Sequence, residues 1–289
     1  MIYLLEILNQ LCIYVALLVA MDLILGKTGL LSAMQASIYG TGAYATGILS
    51  AHLGISMWIT LPISIMLGAV VCSSLALISI RVSDEALVLV TLAFQMIWSD
   101  LANNLGSLTG GPMGLRGIPP FRLLGFESDN PIAGLVLSAT LACLALLVAA
   151  KTDISPLGRA IKAARESELF LSSCGRNAAL MKAQAFALAG AIAGAAGSIY
   201  AMHVGYISPG SFDVAESIRM ITALVLGGLD SLWGPIAGAV LLVGLPEAVR
   251  FLGISGSTAA NIDQMVYALI LIGLVALRPK GLWGRYAIR

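Results

Sequence analysis

The chain has 289 residues, 59% of them hydrophobic and only 11% charged, with a mean hydropathy of +0.95. Ordinary soluble domains are about 25% charged, so a water-soluble globule is excluded and lipid must cover much of the apolar surface. A net charge of +1 lacks the basic excess that neutralises a nucleic-acid backbone, so nucleic acid is not expected as a partner.

A bilayer-crossing helix needs about 20 mostly apolar residues, because every backbone amide in lipid must be paired internally. Nine such segments are predicted in chain order, at 4–25, 29–51, 57–80, 86–104, 131–150, 181–203, 216–230, 233–253 and 263–278. No Lys or Arg precedes Lys27, so the first segment lacks the basic flank of a cleaved signal and is expected to be retained. The seventh is short, and the seventh and eighth together could instead form a re-entrant hairpin. Twelve of the sixteen basic residues fall in four places: Lys27, Arg81, a connection from Lys151 to Lys182, and a tail from Arg278 to Arg289. The positive-inside rule puts these in the cytoplasm, with the N-terminus outside and the loops 105–130 and 204–215 external. The resulting fold class is all-α and polytopic, with about 8–9 transmembrane helices.

Carboxylates inside the segments (Glu6, Asp22, Asp100, Glu247, Asp263) fall near predicted ends. Asp22 and Glu247 come nearest to the bilayer centre. At an interface they would position a helix, and deeper they would be candidates for a proton relay. The segment 29–51 is unusually polar and glycine-rich, so Ser32, Gln35, Tyr39, Gly40, Gly42 and Tyr44 are the candidate lining of a translocation path. Gly227, Gly228 and Gly234 would permit bending or close backbone approach on that path. Gly190 and Gly194 have GxxxG spacing, which predicts tight helix packing.

One connection is too charged to insert. In residues 154–176, Ser155 can cap a helix whose first position is Pro156, and Leu157, Ala160, Ile161 and Ala164 recur on one face opposite Arg159, Lys162 and Glu166. Gly175 ends the run. Such an amphipathic helix could be a solvated loop, lie on the membrane surface, or dock a soluble subunit.

Catalytic motifs are missing. Gly26-Lys27-Thr28 has the last letters of a phosphate-binding loop, but Met21 stands where its first glycine belongs. Cys12, Cys72, Cys143 and Cys174 are scattered, and His52 and His203 lie far apart, so neither a disulfide framework nor a metal motif is present. The chain is not expected to be an enzyme or to bind a cofactor, and any ATP chemistry would belong to another polypeptide.

Taken together, six stretches resemble the LivM-like permease family of branched-chain amino-acid ABC importers. They are GLLSAMQASIYGTGAY (Gly29–Tyr44), LTGGPMGLRGIPP (Leu108–Pro120), SPLGRAIKAARESEL (Ser155–Leu169) with Gly175, YISPGSF (Tyr206–Phe212), VLGGLDSLWGPIAGA (Val225–Ala239) and RPKGLWG (Arg278–Gly284), in the family's order. The chain departs from the pattern at Leu31–Ala36, where a glycine is lost, and at Phe170–Gly175. The resemblance implies a single permease domain over 1–289 in a bacterial inner membrane, supplying half of a path for branched-chain or related amino acids. It also implies a second homologous permease, two cytoplasmic ATP-binding subunits that use the ATP, and an extracytoplasmic solute-binding protein. The loop at about 151–180 would then be the coupling element, with Ser155, Pro156, Gly158, Arg159, Arg165, Glu166, Glu168 and Gly175 as its contact positions. The competing reading is a stand-alone secondary transporter or channel for a small polar solute.

Overall fold

The computed structural model describes residues 2–79, 82–120, 122–123, 126–127, 131–251 and 282–284. The predicted segment at 263–278, the turn at Arg81 and most of the basic tail lie outside the described residues. Eleven helices are described: α1 Ile2–Thr28, α2 Gln35–Ala51, α3 Met57–Ser79, α4 Asp84–Asn104, α5 Gly106–Thr109, α6 Pro131–Ile154, α7 Pro156–Glu166, α8 Glu168–Ser173, α9 Ala178–Val204, α10 Val214–Gly227 and α11 Trp233–Phe251. Four two-residue strands, β1 Leu115–Arg116, β2 Arg122–Leu123, β3 Phe126–Glu127 and β4 Tyr206–Ile207, pair antiparallel as β1 with β4 and β2 with β3. They pin loops and add no layer, so the fold is all-α.

Five of the described helices, α1, α3, α4, α6 and α9, are long and apolar enough to cross a membrane. The bundle is organised around α9, packed by α3, α2 and α1. Exposed Leu67, Val70, Ile97 and Leu144 on α3, α4 and α6 form the apolar outer surface, as lipid solvent requires. Gly194 lies backbone to backbone with Gly42 of α2, and Gly190 does so with Gly68 of α3. A side chain at either would collide with a neighbouring carbonyl, so the small-residue face predicted for 181–203 is used on two partners in the same chain.

The structure departs from the predicted pattern at α2, while α10 has the shortness predicted for the seventh segment. Helix α2 starts at Gln35, not near 29, and has 17 residues; α10 has 14. At 1.5 Å per residue these span about 26 and 21 Å, against a hydrocarbon layer of about 30 Å. Helix α2 is preceded by non-helical chain, 29–34, that is mostly buried in the bundle, and α10 by strand β4 and a 3₁₀ turn at Pro209–Phe212, within the loop predicted at 204–215. Non-helical backbone at such depth survives only where protein groups satisfy it. Thr28 Oγ1 accepts the Leu30 N–H at 3.3 Å, and Thr91 Oγ1 of α4 accepts the Ala33 N–H at 3.2 Å.

Where the two short helices begin, they meet. Ser217 Oγ of α10 accepts the Ala36 N–H of α2 at 3.0 Å. Gln95 of α4 closes the junction: its Oε1 accepts the Ser37 N–H at 2.8 Å and the Ser217 hydroxyl at 3.3 Å, while its Nε2 donates to the Phe212 carbonyl at 2.7 Å.

Candidate functional site

The predicted amphipathic connection is helical but broken. Ser155 caps α7 by accepting the Gly158 N–H at 3.1 Å, with Pro156 in the first turn. Ser167 then stops α7 in an extended conformation and caps α8 by accepting the Phe170 N–H at 3.2 Å. Serine competes well for helix-start positions because its hydroxyl replaces a missing backbone partner, which explains why one predicted run became two helices. Gly175 ends α8 with φ +74° and open space around it.

The apolar face of α7 holds Gly158, Ala160, Ile161 and Ala164, all buried. Gly158 lies against the Thr152 carbonyl at the end of α6, so close that any side chain would collide with it. On the other face, Arg159 and Glu166 are exposed, as is Phe170 of α8. Glu168 opens α8.

Between these faces lies a charge network that joins four parts of the chain. Lys162 of α7 donates to Asp230 Oδ2 at 2.9 Å and contacts its Oδ1 at 2.8 Å. It also meets Asp153 Oδ1 at 3.1 Å, and the same oxygen takes Lys27 of α1 at 3.1 Å. Lys27 further donates to the Ala149 carbonyl at 2.9 Å, and Asp22 Oδ1 accepts the Asp230 N–H at 2.8 Å. Arg165 Nη1 donates to the Gly26 carbonyl. Lys27, Asp22 and Asp230 are at most 4% exposed, so each charge depends on its partners. Leaving a buried charge unpaired costs about 3–5 kcal/mol. Burial alone would lower the pKa of Lys162, but hydrogen bonds to Asp230 and Asp153 outweigh it and hold the value above the ordinary lysine range.

Asp230 sits in the link between α10 and α11 with φ +53°, the one described non-glycine residue at positive φ. In the same link, Gly234 lies backbone to backbone with both Gly227 and Gly228. The tail docks on the same knot: Trp283 N–H donates to the Gly227 carbonyl and Leu282 N–H to the Leu226 carbonyl, both at 3.0 Å. Thus the three glycines named with the path lie next to α7, at its end of the bundle.

The α2 positions sit elsewhere. Ser32, Gln35, Tyr39, Gly40, Gly42 and Tyr44 are all buried. Gln35 Nε2 donates to the Leu17 carbonyl at 3.4 Å. Gly40 admits Trp98 and Phe212, which pack edge-to-face with each other and with Tyr44. Tyr39 also lines a cavity, on the far side of the junction from α7. Sequence reasoning missed Gln95, Trp98, Phe212 and Ser217. For α4 a signal existed: Thr91, Gln95 and Trp98 recur at i, i+4, i+7 in an otherwise apolar segment.

A polytopic helical bundle with buried broken crossings and a charged helix wired to its end is the architecture of a membrane permease. Residues 3–275 match the family model described as the permease component of the branched-chain amino acid transport system, and the chain belongs to that family. It is 31% identical to the high-affinity branched-chain amino acid transport permease LivM of Escherichia coli K12, over 93% of this chain and 67% of that protein. Identity to LivM of Salmonella typhimurium is 30%, over 96% and 69%, respectively. Identity to LivH of Escherichia coli K12 is 25%, over 94% and 91%. No solved structure matches the chain.

Proposed function

We propose that this chain is one of two permease subunits of an ATP-driven importer for branched-chain or closely related amino acids, and that α7 and α8 form its coupling element. In this reading it has about 8–9 transmembrane helices in a bacterial inner membrane, with its N-terminus outside and its C-terminus and α7 in the cytoplasm. The partners are a second permease, two ATP-binding subunits and an external solute-binding protein. ATP is bound and split on the partner subunits, with no cofactor held here.

The observation that carries the reading is the link from Lys162 to Asp230, Asp153 and, through Asp153, Lys27. A solvated loop would need no such anchorage. With it, movement of α7 pulls on α1, α6 and the α10–α11 link together, which is what switching the open side of a path requires. The exposed side of the element, with Arg159, Glu166, Phe170 and Gly175, faces away from the bundle and is the surface an ATPase subunit would grip. Ser155 and Pro156 set its start, Gly158 seats it, Arg165 ties it to Gly26, and Glu168 begins its second part.

The test is leucine uptake by the reconstituted complex in proteoliposomes, with and without Gly175→Glu. The variant is expected to abolish ATP-dependent uptake and weaken co-purification of the ATPase subunits. Normal uptake with normal co-purification would refute the coupling role.

A further inference from the structure

The outer side of α11 carries a groove that the charge network does not explain. From Trp233, the first helical residue, Ile236, Ala237 and Val240 follow at i+3, i+4 and i+7, so they share one face. Leu282 and Trp283 of the docked tail form the other wall, and together these residues bound a cavity of about 390 Å³. The described lining has no charged side chain, and its only polar side-chain groups are the two indole N–H groups. Trp233 and Trp283 are 67% and 57% exposed, so the groove is open on the side away from the bundle. Val240 lies seven residues beyond Trp233, about 10 Å further along the helix axis.

Three observations point to what covers it. The groove starts at the charged end of the bundle: Asp230, three residues before Trp233, holds Lys162, and the Trp283 N–H is bonded to Gly227. A charged network and exposed indoles within a few residues of each other mark the level where hydrocarbon gives way to headgroups. Tryptophan is enriched there because its ring is apolar and its N–H is polar. From this level the groove runs along α11 into the apolar layer, which is the direction of an acyl chain. Finally, the tail sequence around Leu282–Gly284 is basic: Arg278, Lys280, Arg285 and Arg289 stand in the last twelve residues, and no acidic residue follows Asp263. Basic clusters flanking a membrane segment attract anionic headgroups. A helix of another subunit covering the groove would need apolar groups but no excess of cations.

We propose that this groove is a binding site for one anionic phospholipid. An acyl chain lies along α11 between the two indoles, and the phosphate sits at the charged end, where the indole N–H groups and the basic tail sequence favour an anion. The chain packs on Leu282 and Trp283, whose backbones bond to Leu226 and Gly227, so the lipid holds the tail on the link between α10 and α11. The site is independent of the coupling role of α7.

The experiment uses the full complex in phosphatidylcholine vesicles and reads tryptophan emission while phospholipid brominated on its upper acyl chain is titrated in. The groove signal is the difference between the unaltered protein and the variant carrying Trp233→Phe and Trp283→Phe. Brominated phosphatidylglycerol is expected to reach half-maximal quenching at about a tenfold lower mole fraction than brominated phosphatidylcholine, the size expected of one or two basic side chains near a headgroup. In 1 M salt, where the screening length falls to about 3 Å, the two lipids should become equivalent. Lys280→Gln with Arg285→Gln should make them equivalent at low salt. Should the Phe variant fail to fold, the preference and its salt dependence are read on the unaltered protein alone. Equal quenching by the two lipids at low salt overturns the proposal, as does a preference that survives either treatment. A groove signal that neither lipid quenches also overturns it, because another segment or subunit then covers the two indoles.

Discussion

Replacing Lys162 with Met keeps the length and most of the apolar stem of the side chain and removes its charge. In the folded protein Asp153 retains Lys27 at 3.1 Å, but Asp230, 2% exposed, loses the only ion-pair partner described for it. Removing one member of a buried pair costs about 3–5 kcal/mol. Lys162 is itself a quarter exposed, so the lower end of that range, about 3 kcal/mol, is expected. The measurement is thermal unfolding of the purified complex in nanodiscs, read alongside ATP-driven leucine uptake. Lys162→Met should lower stability and uncouple ATP hydrolysis from uptake. Adding Asp230→Asn should restore part of the stability, because the stranded carboxylate is gone. The double-mutant cycle gives the coupling directly, and additivity to within about 0.5 kcal/mol would refute the reasoning. The pH dependence has a definite sign. Because the folded-state pKa of Lys162 is raised, its contribution is complete below the unfolded value of about 10.4 and fades as pH climbs through the folded one. Neutral and mildly alkaline buffers should therefore leave the network intact.

Two other substitutions probe parts of the bundle away from the network. Gln95→Leu removes the acceptor of the Ser37 N–H and the donor to Phe212. It should cost about 1–3 kcal/mol for each buried group left unmatched, measured by unfolding in nanodiscs; a neutral result would mean that the junction is held by other contacts. Gly194→Leu forces α9 away from Gly42 and Ser64. It should prevent recovery of folded protein in mild detergent, and normal yield and unfolding temperature would show that the close approach is dispensable.

The five long apolar helices and the charged helix α7 were legible because both write themselves locally. Apolar length marks a lipid-crossing segment, and Ser155 with Pro156 marks a helix start before any tertiary contact forms. The charge network was not legible. Lys27 reads as an ordinary basic turn residue and Asp22 as an interfacial carboxylate. Their pairing with Asp153 and Asp230 depends on chain segments far apart in sequence, and no periodicity reports such a pairing. The late start of α2 was hidden for the same reason. Gly29–Met34 is apolar enough to read as helix, and its exit from the helical pattern depends on Thr91 of a later helix accepting the Ala33 N–H.

The meeting of α2 with α10 has a consequence for biosynthesis. The Ala36 amide finds its acceptor on Ser217, 181 residues later in the chain. At a translation rate of about 5–20 residues per second, roughly 10–40 s separate the two arrivals at the membrane. During that interval the front of α2 has no permanent place in the hydrocarbon, so it must wait at the translocon, in water, or against a chaperone. Membrane insertion of this protein therefore ends with the later helices closing over the earlier ones, instead of proceeding one crossing at a time.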